Sequence, residues 1–205
     1  YSGVREHSHD IPTCVHIQGF ASAVMNAYIP PSYSIRDVCN SDSIMFRILN
    51  YGNWFAYKTF EKRVANELRL APYVKYWIGR TNWDRSIAKT LSPKSHYFHC
   101  DEMLRSEFFK DKWQYHYNGE VLNIQSVISM DWYKGMDVVL KTANILRLKG
   151  VKICWNIFGW SRNSSILGTF IKRTGIVPEN VGVVLRGKVD GKTIKNALLK
   201  SDVYV

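Results

Sequence analysis

Val121-Leu122-Asn123-Ile124-Gln125-Ser126-Val127-Ile128 opens the stretch that decides the fold. A helical repeat at Met136, Val139, Leu140, Ala143 and Leu146 follows it, and then the apolar run from Val151 to Phe158. The first run is short, apolar and rich in β-branched residues, which predicts a strand. The spacing i, i+3, i+4, i+7, i+10 puts one apolar face on a helix that ends before Lys149-Gly150. Val151 to Phe158 is a second strand, closed by Gly159. Working outward towards the C-terminus, Ser164 to Thr174 reads as a helix with Ile166, Leu167, Phe170 and Ile171 on one side, stopped by Gly175. Val181 to Leu185 is a third strand, Lys192 to Leu199 a short helix, and Val203 begins a fourth strand. Strands and helices alternating across short glycine-containing links predict an open parallel α/β sheet.

The upstream residues repeat the pattern less regularly. Thr13 to Ile17 is a strand running into Gln18-Gly19-Phe20, and a short helical stretch follows before Pro30-Pro31. Tyr57, Phe60, Val64 and Leu68 mark one stripe of a helix ended by Pro72. Val74 to Ile78 is a strand that stops at Gly79-Arg80-Thr81, after which Asn82 caps a helix running to Leu91. Lys94 to His99 is another short strand. Residues 32–50 carry no assignable pattern. The segment 109–120 is polar and aromatic without a period, which places a linker near Asp111–Gly119 with Asn118-Gly119 as its flexible point, and one domain on each side, 1–119 and 120–205.

A chain of 205 residues holds one large domain or two modest ones, and 46% hydrophobic with 22% charged residues excludes a disordered tail or a fibrous protein. No apolar run approaches the roughly 18 residues of a membrane span. Tyr1-Ser2-Gly3-Val4-Arg5 leads straight into His7-Ser8-His9-Asp10, which is not the pattern of a signal peptide. A first residue other than Met, and a final strand only just begun, predict a fragment cut at both ends. Lys plus Arg is 28 against 17 Asp plus Glu, a formal charge of +11 that favours an anionic partner. A nucleotide phosphate, an anionic membrane surface and a nucleic acid all qualify. Cys14, Cys39, Cys100 and Cys154 are far apart, and two of them lie in apolar runs, so buried thiols in a reducing compartment are expected.

Several short motifs carry little chemistry. Gly187-Lys188-Val189-Asp190-Gly191-Lys192-Thr193 has three residues between its glycines where a phosphate-binding loop needs four. His96, His99, Cys100 and Asp101 are metal-ligand types, but positions 96 and 99 point to opposite faces of a strand, so no metal is expected. Asn163-Ser164-Ser165 is a sequon that has meaning only in a secreted chain. His7, His9 and His16 lack an identifiable carboxylate partner.

Ser129-Met130-Asp131-Trp132-Tyr133-Lys134-Gly135 is the stronger constellation, because it lies between a strand and a helix. Ligands of parallel sheets bind beyond the carboxyl ends of the strands, where helix N-termini attract anions. Lys134 beside Gly135 at such a start is a candidate diphosphate contact. Gly159 and Arg186-Gly187-Lys188-Val189 end the next two strands on the same rim, which together predict a nucleotide crevice.

The order of these pieces resembles the C-terminal domain of family 4 glycosyltransferases. The resemblance lies in Tyr133 to Lys141 (a Lys-Gly-hydrophobic-Asp helix start), Ile157-Phe158-Gly159, Asn180-Val181 through Arg186-Gly187-Lys188-Val189, and Leu198 to Val205 with its Ser-Asp strand. Val15 to Phe20 and Tyr76 to Asp84 resemble the acceptor domain of polysaccharide-building members. The resemblance implies two Rossmann-like domains of the GT-B type, both incomplete here: 1–119 as part of the acceptor-side domain and 120–205 as the first part of the nucleotide-sugar domain. It implies a retaining transferase that moves a sugar from a nucleotide-diphosphate donor to a glycan or lipid-linked acceptor in surface polysaccharide or capsule biosynthesis. Its implied donor-binding residues are Ser129, Lys134, Gly135, Gly159, Arg186, Gly187 and Val189, with Gly19, Phe20, Arg80 and Thr81 on the acceptor side of the cleft.

Two positions depart from the family pattern. Many members carry Arg where this chain has Ser129, and many place a His near the transferred sugar where it has Gln18, the one candidate catalytic position. The family's Glu-x7-Glu motif would fall beyond Val205, so the fragment alone is expected to be inactive. No cofactor or metal is implied, and a cytoplasmic location with peripheral contact to an anionic membrane follows from the acceptor class and the charge. Competing readings are a basic nucleic-acid-binding module and a nucleotide-sugar epimerase on the same fold. The aromatics fall at core-like periods and are not interleaved with basic residues, which argues against nucleic acid.

Overall fold

A computed structural model describes residues 13–115, 117 and 119–205. His7 and His9, the N-terminal pentapeptide and the expected flexible Asn118 lie outside the described residues. In chain order the elements are β1 (Cys14–His16), α1 (Ala21–Met25), α2 (Ile35–Asn40), α3 (Ile44–Ile48), α4 (Gly52–Leu70), β2 (Tyr76–Gly79), α5 (Asn82–Leu91) and β3 (His96–His99). They continue with β4 (Leu122–Val127), α6 (Met136–Leu148), β5 (Ile153–Phe158), α7 (Ser165–Thr174), β6 (Val183–Gly187), α8 (Gly191–Leu199) and β7 (Val203–Tyr204). The chain is α/β with every described strand pair parallel, an arrangement compatible with a Rossmann-like fold.

Two compact units emerge. The first comprises the described residues up to Pro31 and Ile44–Met103, and the second Ser32–Ser43 and Leu104–Val205. The division differs from the one expected at 119/120 in two places, and side-chain contacts within the second unit give the reason. Residues 104–119 belong to that unit because Trp113 Nε1 donates to the Ser201 carbonyl at 2.6 Å and Asp111 pairs with Lys195 at 2.5 Å. The segment 32–43 belongs to it because the Tyr33 ring packs edge-on against Phe170 and Trp132, with centroids 4.9 and 5.9 Å away. Part of what the sequence left unassigned, α2, is thus an appendage of the second sheet.

In the first unit the strand order is β1-β2-β3, with Ile17, Phe20, Ala71, Val74, Trp77 and Ala88 as the core. α5 is capped by Thr81, one residue before the expected Asn82: Thr81 Oγ1 accepts the Asp84 N–H at 3.0 Å, and the Asp84 carboxylate accepts the Thr81 N–H in return. On α4 the buried side chains are Tyr57, Glu67 and Leu70, while Leu68 faces solvent. The stripe turns because the Glu67 carboxylate accepts the N–H groups of Ala21 and Ser22 at 2.8 and 2.9 Å. It satisfies the first turn of α1, whose donors have no partner inside their own helix.

The second unit has the order β6-β5-β4-β7. Trp132, Met136, Leu140, Ile157, Trp160, Leu167, Phe170 and Val183 are fully buried in it. Predicted elements match those observed to within one to three residues at most ends. The third strand is shifted by two residues: Val181 closes a 3₁₀ turn, Pro178–Val181, so that β6 starts at Val183. All four cysteines are free, but Cys14 and Cys100 are exposed where buried thiols were expected. Cys14 lies on β1 and Cys100 directly follows β3, and both are edge strands. Among the described residues no helix is long and apolar enough to cross a membrane.

Candidate functional site

Three parallel strands end side by side in the second unit, and their backbone bonds continue past the strands themselves. The Ile128 N–H donates to the Phe158 carbonyl at 3.0 Å, and the Gly159 N–H donates to the Gly187 carbonyl at 2.7 Å. Gly159 adopts φ +99°, and a Cβ there would stand 2.2 Å from the Ile128 oxygen. Only glycine allows the ends of β4 and β5 to close this tightly. Above this floor lies a cavity of about 510 Å³, lined by Val127 to Met130 at the end of β4, Phe158 and Gly159 at the end of β5, Lys188 and Val189 after β6, and Ile194 of α8. Its position beyond the carboxyl ends of parallel strands is where such sheets bind ligands.

Of the expected donor-binding residues, Ser129, Gly159 and Val189 line this cavity, and Lys188 brings the cation. Ser129 Oγ donates to Asp131 Oδ2 at 2.7 Å. Asp190 caps α8 just past Val189: its carboxylate accepts the Thr193 N–H at 2.7 Å, a bond that lowers its pKa below the ordinary carboxylate value. Gly187 forms the floor through its backbone. Arg186 is turned back along the sheet, its Nε donating to Asn156 Oδ1 at 2.7 Å. Lys134 and Gly135 sit at the start of α6, outside the lining. The Lys134 side chain is exposed with Nζ 5.0 Å from the centre of the Tyr133 ring, and Gly135 takes the left-handed φ of +76° that turns the chain into the helix. Met130, Phe158 and Ile194 complete the walls; Met130 and Phe158 stood inside stretches the sequence singled out, whereas Ile194, an ordinary apolar helix residue, gave no signal.

A larger cavity, about 590 Å³, lies beside the amino end of β7 between Trp113, Leu198 and Tyr204. Its polar groups are already committed to one another or to the sheet: Asp111 to Lys195, Trp113 to Ser201, and Asp202 to the Asn123 N–H. The smaller cavity, with Lys188 and the strand-end backbone, is therefore the better candidate. No family model matches this chain, and no curated protein matches it.

The first unit also gathers its expected residues at the carboxyl ends of its strands. Gln18 and Gly19 follow β1, Arg80 and Thr81 follow β2, and His99 to Glu102 end β3. Gln18 Nε2 lies 3.4 Å from His16 Nδ1, Arg80 pairs with Glu102 at 3.0 Å, and His99 meets Asp101 at 3.1 Å. Thr81 is occupied as the α5 cap. Phe20 is only 1% exposed, its ring 5.6 Å from that of Trp77, so it serves the core where a cleft residue was expected. An aromatic after a strand end reads alike in sequence whether it turns to a cleft or inward. Among the described residues no group of three or more His, Cys, Asp or Glu side chains could hold a metal ion.

Proposed function

We propose that the chain is part of a retaining GT-B-type glycosyltransferase, acting in the cytoplasm in surface polysaccharide biosynthesis, that moves a sugar from a nucleotide-diphosphate donor to a glycan or lipid-linked acceptor. The observation that carries the reading is the cavity beyond β4, β5 and β6, walled by Ser129, Gly159, Lys188 and Val189. Departure of the nucleoside diphosphate is the electrostatic demand of such a transfer, and a cation in the cavity lining, Lys188, answers it. In this reading Lys188 takes the diphosphate, and Phe158 and Val189 offer apolar surface to the rest of the nucleotide. Lys134, on its solvent-exposed stem, swings from Tyr133 to the same anion. Gln18 and Arg80 belong to the acceptor side.

Calorimetric titration with uridine, guanosine and adenosine diphosphates tests this. One of them is expected to bind weakly, and Lys188→Ala is expected to cost about 1–3 kcal/mol of that affinity, the range for a charge-assisted hydrogen bond. Lys134→Ala should cost a smaller amount. Lack of any nucleoside diphosphate binding by the folded chain, or full affinity in the Lys188 variant, would remove the donor-site assignment.

A further inference from the structure

The loop that joins β4 to α6 brings Ser129 and Met130 to the cavity, yet between Ser129 and Gly135 only Trp132 is buried. The bonds inside the loop are local. Ser129 Oγ donates to Asp131, the Asp131 N–H to the Ser129 carbonyl at 3.0 Å, and the Lys134 N–H to the Asp131 carbonyl at 3.3 Å. They fix the shape of the loop and leave its seat on the unit to the Trp132 side chain, which is 1% exposed. That indole meets Phe170 edge-on with centroids 5.3 Å apart, and Phe170 lies 6.2 Å from Trp160. Trp160 follows Gly159, and its carbonyl accepts the Gly187 N–H at 2.9 Å. One aromatic cluster is thus tied to the chain after β4, after β5 and at the end of β6.

The ring that packs on Trp132 from the other side of the sequence is Tyr33. It is 9% exposed and touches both Trp132 and Phe170. The segment that carries it, 32–43, is flanked in the chain on both sides by residues of the first unit. It is fastened along α7 at two points, Tyr33 on Phe170 and Asp37 on Arg173, which stand three residues apart on one face of that helix. Among the described residues Tyr33 Oη, Trp132 Nε1 and Trp160 Nε1 have no hydrogen-bond partner. The fit of the rings therefore holds the cluster, and taking one ring away frees the next to move.

We propose that Tyr33 is a positioning residue of the cavity beyond β4, β5 and β6, holding the Ser129–Lys134 loop in place through the Trp132 indole. Its bearing on diphosphate binding rests on the nucleotide reading of that cavity, so the first measurement is made without nucleotide. In NMR spectra of the ¹⁵N-labelled whole chain, Tyr33→Ala is expected to shift or broaden the amide signals of Ser129 to Lys134. It should also speed exchange of the Trp132 indole N–H by about tenfold or more. The Trp155 indole, which donates to Ser126 at 2.9 Å, and the Val189 amide on the opposite wall should stay as in the parent chain. Tyr33→Phe keeps the ring and should restore every signal. Nucleoside diphosphate affinity should fall about three- to thirtyfold in Tyr33→Ala and return in Tyr33→Phe. Loop signals that do not move, changes that reach Trp155 and Val189 equally, or a Phe variant that behaves like the Ala variant would each overturn the proposal. A parent chain that binds no nucleoside diphosphate removes the donor reading alone, and the loop signals still decide the role of Tyr33. Should Tyr33→Ala not fold, the parent in urea below its unfolding transition decides instead. The Ser41 amide of the docked segment and the Trp132 indole should then open together and before the Trp155 indole, and separate opening would overturn the proposal.

Discussion

Gly159 has no room for a side chain, and that one position holds the floor of the candidate site together. A Cβ there would meet the Ile128 oxygen at 2.2 Å on a backbone already at φ +99°. Backbone strain of this kind costs about 1–3 kcal/mol. Gly159→Ala is therefore expected to lower unfolding stability by at least that amount in urea and to weaken nucleoside diphosphate binding. An unchanged denaturation midpoint would show that β4 and β5 can part there without cost. Glu67 is the other residue whose role was out of reach of the pattern. Its spacing on α4 reads as polar and solvated, and it faces inward because two N–H groups from residues more than forty positions away lack partners. Lys188 and Lys134 make the same point for function. Both follow strands and stand beside glycine, and only the turn after β6 brings the first into the cavity lining.

Among the elements, α2 is held by a single charged contact as well as by the Tyr33 ring. Arg173 of α7 donates from Nε and Nη2 to the two oxygens of Asp37, at 3.0 and 2.7 Å. That guanidinium, helped by the Ser34 N–H, draws the Asp37 carboxyl down from 3.8 to about 2. A carboxylate lowered on folding contributes stability above its unfolded value and loses it as pH falls through the folded one. The contribution is thus full above 3.8 and fades towards pH 2. Asp37→Asn should melt below the parent chain at neutral pH, and the gap should close as pH approaches 2. A gap that is the same at both pH values would mean that the contact does not couple to folding. Elements of the second sheet were legible because each carries its own period and its own stop. α2 and α3 were not, since they are six and five residues long and too short to show a period.

For the whole molecule, the consequence of the unit division is that the second unit is assembled from two separated stretches of chain, 32–43 and 104–205. Excised residues 104–205 would lack Tyr33 over Trp132 and Phe170, and Asp37 on Arg173. They are expected to bind a hydrophobic dye and to melt at lower temperature than the second transition of the intact chain. An excised unit as stable as its intact counterpart would show that the 32–43 segment is incidental.

The sequence by itself determined the α/β class, the parallel direction and the order of strands and helices, because local apolar periods and glycine stops are properties of neighbouring residues. It also determined which strand ends would carry polar loops, and Ser129, Gly159 and Val189 were legible for that reason. Tertiary structure decided what depends on residues distant in the chain. It placed Phe20 in the core, turned Arg186 to Asn156, and left the Lys134 side chain over Tyr133 while Lys188 entered the cavity wall. It also joined residues 32–43 to the second sheet, since the apolar surface that Tyr33 covers exists only after Trp132 and Phe170, more than ninety residues later, have come together.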